Sequence, residues 1–410
     1  MLKKENFFKS YFNGSHTYNK NLHKTKKIFN SFIIELKNNR IPLLQSYEQS
    51  YKYDFSPATI KKFSRYKNII IIGMGGSILG TKSIYSFLKK KIKKKVFFFD
   101  NLDLELNLIY KKIENLKNSC FIVVSKSGNT LETIINLRTI FSKNLLNNKL
   151  IIITEKANNN LMTIANKYKA EIIEHKEFIG GRYSVLSESG MFPAALMGLN
   201  LKKFKNLKQL LKDKNFVSSL IYNVASIYTL NLKKINNSVI LNYDSSLNDL
   251  GYWYQQLVAE SLGKKGKGIN PILSFGPKDH HSLLQLYLDG PKDKFFTFFN
   301  SSEKESNSKT NKSIFPNSLG FLKNKSLKYI INAQCNATKN IFKIKKIPFR
   351  QITFNKKNED DLGKIFIFFV LETILLSRLM NVNPFDQPAV EQIKTETNKF
   401  LRQKYSKNNF

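Results

Sequence analysis

Short apolar runs, built mainly from Ile, Val and Phe, alternate along this chain with longer amphipathic stretches. A run that is apolar at every position predicts a strand buried on both faces, as in parallel sheets that are covered by helices on each side. The pattern therefore predicts an α/β fold made of doubly wound parallel sheets. The runs are NIIIIG from Asn68, VFFFD from Val96, CFIVVS from Cys120, LIIIT from Leu150 and EIIEH from Glu171, followed by SVILNY from Ser238, FFTFFN from Phe295 and PFRQITF from Pro348.

The two series of runs predict two α/β domains, and 410 residues are enough for two hydrophobic cores. We expect a helical N-terminal extension over 1–50, a first domain over 51–210, a second over 211–382 and a C-terminal helix over 383–410 that packs back on the body. The apolar run IFIFFVLETILLSRLM contains Glu372 and Arg378 and falls short of the roughly 18 uncharged residues that span a bilayer. We interpret it as a buried helix, and the polar segment 301–313 as an exposed loop or insertion.

The chain is strongly basic, with 67 Lys and Arg against 30 Asp and Glu and a formal net charge of +37. This charge raises the alternative of a polyanion-binding protein, whose affinity would fall steeply with salt. The lysines are spread through the chain together with abundant Asn and Ile, whereas a nucleic-acid module concentrates its cations on one element. A biased codon composition explains the charge more simply, and we expect neither a nucleic acid nor a membrane as partner.

Two features favour the cytoplasm as the compartment. The cysteines, Cys120 and Cys335, each lie in or beside an apolar segment, so a disulfide framework is not expected. The first residues, MLKKENFFKS, are followed by polar sequence rather than by the apolar core of a secretory signal.

The stretch VVSKSGNTLET places three hydroxyl groups, a lysine and a glycine where a predicted strand ends. In open parallel sheets, ligands bind beyond the carboxyl ends of the strands, where helix N-termini direct unpaired N–H groups outward. Ser125, Ser127 and Thr130 offer donors there, Lys126 adds a positive charge, and Gly128 lets the backbone approach a bulky ligand. The stretch predicts a phosphate cradle, with simple capping of a helix as the alternative.

The stretch IIGMGGSILGTKS repeats this plan of strand, glycine-rich turn, hydroxyl and helix. It lacks the dinucleotide-binding pattern because Ile78 stands where a further glycine is required. It lacks the nucleotide P-loop because Thr81 precedes Lys82. Two such turns without a nucleotide fingerprint favour a phosphomonoester ligand, and a sugar phosphate more readily than a coenzyme.

Two charged residues further along have positions that suit catalysis. Arg182 follows two glycines on a tight turn, where its guanidinium could stabilise a developing negative oxygen; an ordinary surface arginine is the alternative. Glu260 ends an aromatic-rich amphipathic helix, where partial burial would make it a usable base. The alternative for Glu260 is a solvated i,i+4 pair with Lys264.

Histidines and the C-terminal segment carry weaker signals. His280 and His281 are adjacent and point to different sides, so we expect no metal pair, and each could be a surface or capping histidine. The segment NPFDQPAVEQIK sets Gln387 at a proline-braced turn and places Glu391 and Lys394 three residues apart on the next helix. Any of these could be structural.

With these segments in this order, the sequence resembles the glucose-6-phosphate isomerase family, also called the phosphoglucose isomerase family. The matching blocks are GMGGSILG, SKSGNTLET, GGRYSVLSESG, AESLGKKGKGINP, DHHSLLQ and NPFDQPAVEQIK. The resemblance implies two sugar-isomerase domains, a homodimer, and reversible conversion of glucose 6-phosphate to fructose 6-phosphate, a step of glycolysis and gluconeogenesis that needs no cofactor or metal.

The resemblance also implies a role for each candidate residue. Glu260 would move a proton between C2 and C1, and Arg182 would stabilise the cis-enediolate. His281 would assist ring opening from the partner subunit, Lys394 would share that step, and Gln387 would lie nearby. The residues implied to hold the sugar phosphate are Gly76, Ser77, Ser125, Lys126, Ser127 and Thr130.

Two other functions stand beside this one. A family member that also accepts mannose 6-phosphate is an alternative, because selectivity at C2 depends on small differences in pocket shape. A non-catalytic sugar-phosphate sensor of the same fold is another. Such a sensor would keep the hydroxyl cradle but would have no reason to keep Glu260, Arg182, His281 and Lys394 together.

Overall fold

The first series of apolar runs forms a five-stranded parallel sheet in the order β2-β1-β3-β4-β5. The computed structural model describes residues 8, 11, 12, 14–105, 113, 116–140, 149–302 and 316–403. The strands of this sheet are β1 (Asn68–Gly73), β2 (Lys95–Phe99), β3 (Ser119–Val124), β4 (Leu150–Thr154) and β5 (Glu171–Glu174).

Burial of β1 on both faces explains its run of four isoleucines. Ile69 and Ile71 belong to the core on one side of the sheet, while Ile70 and Ile72 belong to the core on the other side. Successive side chains of a strand point to opposite faces, so every position must be apolar when helices cover both. The predicted doubly wound α/β class is confirmed.

A change of direction in this sheet locates the ligand-binding edge. From β1 the chain crosses to β2 on one side, whereas β3, β4 and β5 follow one another on the other side. The strand order therefore reverses between β1 and β3, and ligands of open α/β sheets bind at the carboxyl ends of the strands at such a point.

The three runs of the second series form β6, β8 and β9 of a four-stranded parallel sheet in the order β7-β6-β8-β9, and the sequence analysis did not predict its edge strand β7. Pro271 lies in β7, an edge strand, where a missing N–H donor is tolerated. The strands are β6 (Asn237–Asn242), β7 (Asn270–Phe275), β8 (Lys294–Ser301) and β9 (Phe349–Phe354).

Helices surround both sheets, and several begin at a capping residue that the sequence supplies. Ser56 accepts a hydrogen bond from the Thr59 N–H at the start of α2, and Asn358 accepts one from the Asp361 N–H at the start of α12. The helices are α1 (His16–Lys37), α2 (Pro57–Ser64), α3 (Leu79–Leu88), α4 (Leu131–Ile140), α5 (Asn160–Lys167), α6 (Glu188–Leu196), α7 (Leu207–Lys212), α8 (Lys214–Leu232), α9 (Asn248–Leu262), α10 (Leu284–Asp289), α11 (Leu327–Ile344), α12 (Glu359–Met380) and α13 (Ala389–Arg402).

The long apolar run lies in α12 and is buried, as predicted. Its Glu372 is fully buried and forms an ion pair with the equally buried Arg350 of β9. Its Arg378 forms two hydrogen bonds with Glu35 of α1, at 2.9 and 2.7 Å. The two charges of the apolar run are thus paired within the protein, which offsets the cost of removing them from water. Of the helices in the described ranges, none combines the length and the apolar character that crossing a bilayer requires.

The two sheets share one apolar core, which includes both Ile71 of β1 and Ile240 of β6. Helices α7 and α8 connect them across the predicted boundary near residue 210. The N-terminal extension reaches the second half, because the Phe8 N–H donates to the Phe349 carbonyl at 3.2 Å. The domain limits themselves stay predictions.

Two expectations about exposed segments have different outcomes. Of the polar segment 301–313, Ser301 ends β8, Ser302 is described, and residues 303–313 lie outside the described residues. The C-terminal helix is present as α13, but none of its residues is buried. Packing of this helix back on the body therefore stays a prediction.

Candidate active site

The two hydroxyl-bearing turns lie side by side at the reversal point of the first sheet. Gly73 at the end of β1 pairs with Val124 at the end of β3, so the segments that follow them start next to each other. A Cβ atom built on Gly73 would lie 3.0 Å from the Val124 oxygen and 3.3 Å from the Ser77 Cβ. Ser77 thus lies beside the start of the Ser125 turn.

The turn after β3 is organised by its own side chains. The hydroxyl groups of Ser125 and Thr130 are 2.8 Å apart, and Ser125 is buried. Ser127 is exposed and accepts a hydrogen bond from the Asn129 N–H at 3.3 Å. Gly128 has φ +65°, and a Cβ atom there would lie 2.0 Å from the Asn159 side chain, so no other residue fits.

Lys126 links this turn to the segment that leads to Arg182. Its ammonium group donates to the Glu177 carbonyl at 2.7 Å and lies 3.5 Å from the Glu155 carboxylate. The cation is about one-third exposed, which leaves it accessible to a ligand anion.

The turn after β1 touches the turn that carries Arg182. A Cβ atom on Gly76 would lie 2.2 Å from the Gly181 carbonyl carbon and 2.4 Å from the Arg182 nitrogen. Glycine at position 76 is therefore required by the close approach of two backbones. This contact joins the hydroxyl-lined turns to the charged groups of the site.

Arg182 is buried and uses all of its donors within the protein. A guanidinium has five N–H groups. Its Nε donates to Ser261 Oγ at 2.8 Å. One terminal nitrogen donates to Glu260 Oε2 at 3.2 Å and to Gln387 Oε1 at 2.8 Å. The other donates to the carbonyl oxygens of Pro384 and Asp386. Arg182 is thus not the surface arginine of the alternative interpretation.

Glu260 lies at the end of α9 with its side chain 32% exposed. Each carboxylate oxygen accepts one hydrogen bond: Oε2 from Arg182, and Oε1 from Gln256 Nε2 at 2.9 Å. The alternative pair with Lys264 is not formed, because the Lys264 ammonium lies 2.9 Å from the Asp386 carboxylate instead. The carboxylate is therefore held in place while one side of it faces open space.

That open space is a cavity of about 560 Å³ between the end of α9 and the start of α13. The volume suits a small ligand, and the residues that line it include neither Arg182 nor the two hydroxyl-bearing turns. Among its lining residues are Glu260, Lys264, Asn383, Asp386, Gln387 and Val390.

Arg182 forms a cluster with Gly76, Glu260 and Gln387, and two groups around this cluster have displaced pKa values. Burial raises the pKa of Tyr183, whose hydroxyl group lies 2.8 Å from Ser261 Oγ and donates to the Pro384 carbonyl at 2.9 Å. A hydrogen bond from Lys264 lowers the pKa of Asp386, so this carboxylate is charged at neutral pH. Tyr183 therefore acts as a neutral donor and Asp386 as an anion.

His281 does not reach the cluster within one chain. It is exposed on a short 3₁₀ turn, Lys278–His281, that follows β7. Its neighbour His280 has Nε2 2.6 Å from the Tyr243 hydroxyl, and burial lowers the pKa of His280. Among the described residues, no hydrogen bond or ion pair joins His281 to Arg182, Glu260 or Gln387.

Lys394 also remains apart from the cluster. It is exposed on α13 and pairs with Glu391 of the same helix at 2.6 Å. The structure thus brings together Gly76, Arg182, Glu260 and Gln387, and it places Ser77 beside the turn of Ser125, Lys126, Ser127 and Thr130.

The sequence analysis did not predict the supporting roles of four residues, one of which, Lys264, it named only as an alternative partner of Glu260. Gln256 stands one helical turn before Glu260, so the i,i+4 spacing could have identified it. Ser261, Tyr183 and Lys264 each follow a candidate residue by one to four positions, but their partners lie in distant parts of the sequence: Arg182 for Ser261, and the 383–387 loop for Tyr183 and Lys264. Across the described part of the chain, no group of three or more His, Cys, Asp or Glu is arranged to hold a metal ion.

Comparison of the sequence with known proteins identifies its family. A family model described as phosphoglucose isomerase matches residues 33–409. The glucose-6-phosphate isomerase of Methanocaldococcus jannaschii is 33% identical over 354 residues, which cover 83% of this chain and 86% of that protein. The enzyme of the same name from Mycoplasmopsis synoviae is 32% identical over 348 residues, which cover 80% of each protein.

Solved structures share the fold. A hypothetical protein from Thermus thermophilus matches with a TM-score of 0.78 at 20% identity, covering 98% of this chain and all of that chain (100%). A glucose-6-phosphate isomerase from Chlamydia trachomatis matches with a TM-score of 0.69 at 18% identity, covering 83% of this chain and 70% of that one. At these identities the structural likeness supports the arrangement of strands and helices alone.

Proposed function

The chain belongs to the phosphoglucose isomerase family, and we propose that it interconverts glucose 6-phosphate and fructose 6-phosphate with Glu260 as the base. The observation that carries this proposal is the 3.2 Å contact between Arg182 and Glu260 beside the Gly76 turn. Removing a proton next to a carbonyl group needs a positioned base and a cation near the oxygen that gains charge. Glu260 and Arg182 supply this pair.

The proton transfer balances without an external oxidant or reductant. From the open-chain aldose, Glu260 takes the C2 proton, the C–H electron pair forms the C1–C2 double bond, and O1 gains the negative charge. The O2 hydroxyl proton passes to O1, so O2 becomes the ketone oxygen as protonated Glu260 returns its proton to C1. The result is the ketose, with the carboxylate of Glu260 restored.

Arg182 takes part through the donor that it shares with Glu260. While Glu260 is charged, the arginine has no free N–H group. Protonation of Glu260 makes its oxygen a poorer acceptor, and that N–H group can then turn to the enediolate oxygen. The cation thus becomes available when negative charge develops on the substrate.

The phosphate group of the sugar would bind at the two adjacent turns. Hydroxyl donors, the Lys126 cation and the N-terminal N–H groups of α4 suit a dianion. Binding the sugar by a group remote from C1 and C2 fixes the reacting carbons over Glu260, so binding energy is used for orientation. The residues with this role are Gly76, Ser77, Ser125, Lys126, Ser127 and Thr130.

We further propose a homodimer in which His281 of the partner subunit assists ring opening together with Lys394. In support, His281 is exposed and apart from the cluster of its own chain. Helix α13, which carries Lys394, exposes a set of apolar side chains that a second copy could cover. They are Val390, Ile393, Phe400 and Leu401.

A coupled assay of the purified protein with fructose 6-phosphate tests the function directly. We expect glucose 6-phosphate to form at the same rate with and without a metal chelator. A parallel assay with mannose 6-phosphate shows whether the enzyme accepts only glucose 6-phosphate and fructose 6-phosphate or also mannose 6-phosphate. No turnover of either hexose phosphate, together with binding of both, would instead favour the sensor.

A salt titration with random-sequence DNA tests the polyanion alternative, which predicts that the affinity for DNA falls steeply as salt is added.

A further inference from the structure

The Asn383–Gln387 loop, residues 383–387 between α12 and α13, is fastened to the reaction site on one side. Arg182 donates to the carbonyl oxygens of Pro384 and Asp386 and to the side chain of Gln387. Tyr183 donates to the Pro384 carbonyl at 2.9 Å. Any shift of this loop would therefore move acceptors away from the guanidinium that contacts Glu260.

Lys264 fastens the same loop on its other side. Its ammonium group donates to the Asn383 carbonyl and to the Ser261 carbonyl at 3.3 Å, and it lies 2.9 Å from the Asp386 carboxylate. These three acceptors match the three hydrogens of an ammonium group. The side chain of Lys264 is 11% exposed, whereas that of Asp386 is 51% exposed, so the lysine is the shielded partner.

The position of Lys264 in the chain gives this contact a geometric consequence. Lys264 stands two residues after the last residue of α9, and Glu260 and Ser261 lie in the final turn of that helix. The lysine therefore joins the segment that carries Glu260 directly to the loop that carries Gln387.

We propose that Lys264 is a positioning residue of the isomerase reaction, which holds the Asn383–Gln387 loop against the end of α9 so that Arg182 keeps its alignment with Glu260. This inference rests on the proposed function for its kinetic part only. Without Lys264 the loop would be held from the arginine side alone. The acceptors on the loop, which are the Gln387 side chain and the carbonyl oxygens of Pro384 and Asp386, would then change position. The guanidinium of Arg182 would follow them and lose its fixed alignment with Glu260.

Three variants separate positioning from simple loss of stability. Lys264→Met removes the ammonium group and keeps most of the apolar stem. Lys264→Arg keeps a cation that can reach the same acceptors. Lys62→Met is the matched control, because it removes a half-exposed lysine from an ion pair with Glu171, 2.8 Å long, away from the site. All three are assayed with fructose 6-phosphate at a temperature where their unfolding curves show the native state.

We expect Lys264→Met to lower kcat by about tenfold while KM changes by less than about threefold, because a misplaced catalytic pair reduces turnover more than substrate binding. Lys264→Arg recovers most of the loss, and Lys62→Met stays within about twofold of the wild type. Hydrogen exchange of the amides in residues 381–390 is faster in Lys264→Met than in the wild type and unchanged in Lys62→Met.

Unchanged exchange in Lys264→Met would show that the lysine does not hold the loop and would overturn the proposal. Faster exchange with an unchanged kcat would overturn it as well, because the loop would then be irrelevant to turnover. A wild-type protein that turns over neither hexose phosphate would refute the proposed function and with it the kinetic part. The exchange measurement would still decide whether Lys264 holds the loop.

Discussion

The guanidinium of Arg182 donates a hydrogen bond of 3.2 Å to the carboxylate of Glu260, although 78 positions separate the two residues in the sequence. The arginine comes from the turn after the first sheet, and the glutamate ends a helix that follows β6 of the second sheet. The proposed reaction site is therefore built where the two halves of the chain meet.

Replacing the proposed base should strongly reduce turnover without loss of substrate binding. Glu260→Gln keeps the size of the side chain and can still accept from Arg182, but it cannot take the C2 proton. We expect kcat to fall by about 10³-fold, with KM within about threefold of the wild type. Steady-state kinetics with fructose 6-phosphate measure both. A variant with near wild-type kcat would contradict the base assignment.

The close approach of two backbones at Gly76 predicts a severe effect of the smallest side chain. Gly76→Ala places a methyl group 2.2 Å from the Gly181 carbonyl carbon, so the two turns must separate. We expect kcat/KM to fall by about 100-fold, because phosphate and reacting carbons are no longer aligned. Gly320→Ala is the matched control, since nothing lies within 4 Å of its added methyl group. Equal activity of the two variants would refute the alignment.

Subunit mixing tests the proposed contribution of His281 from a partner. Glu260→Gln and His281→Ala subunits are each expected to form dimers of low activity. A hybrid dimer would contain one site with both wild-type residues. Refolding the two in equal amounts should restore about one quarter of wild-type activity by random pairing. If each site is built from one chain, the mixture stays as inactive as its components.

A buried lysine far from the Arg182–Glu260 pair predicts a pH dependence of stability. Lys205 is 2% exposed, its ammonium group lies 4.5 and 4.1 Å from the ring centres of Tyr51 and Tyr53, and burial lowers its pKa from 10.5 to about 7. Between pH 7 and 10.5 the unfolded chain binds the proton while the folded protein does not. Stability contributed by this residue therefore rises with pH across that window.

Lys205→Met should remove this rise. We expect the wild type to gain about 2 kcal/mol more than the variant in free energy of unfolding between pH 7 and pH 9. At pH 7 and below, the variant should be the more stable protein, because no charge is buried. Urea unfolding at several pH values measures the difference, and Lys62→Met serves as the exposed-lysine control. Parallel curves for wild type and Lys205→Met would disprove the burial effect.

Several parts of the fold and site could be predicted from local sequence. The run Ile69–Ile72 identified a strand covered on both faces, since four consecutive apolar residues have no other low-energy place in a sheet. Ser125 and Thr130 could be named as candidate phosphate-binding residues because hydroxyl groups and a glycine directly follow a predicted strand. Each of these inferences depends on neighbours within about ten residues.

Other features depend on hydrogen-bond and ion-pair partners that lie far away in the sequence, so no local pattern predicts them. Lys264 illustrates this, because the i,i+4 rule pairs it with Glu260, while the structure pairs it with Asp386. An i,i+4 pair stabilises a helix by only about 0.2–0.5 kcal/mol, so two acceptors offered by a distant loop, together with the nearby Ser261 carbonyl, outweigh it. Exposure of α13 is another example, since an amphipathic pattern predicts a helix but not the surface that covers it.

By itself, the sequence determined the α/β class, the two sheets and the chemical groups available for catalysis, because hydrophobic periodicity and turn chemistry act between near neighbours. Only the tertiary structure decided which of those groups meet. The alignment of Arg182 with Glu260 and the anchoring of the Asn383–Gln387 loop depend on contacts between segments more than 75 positions apart. Such contacts form only when both sheets and their helices have packed around a common core.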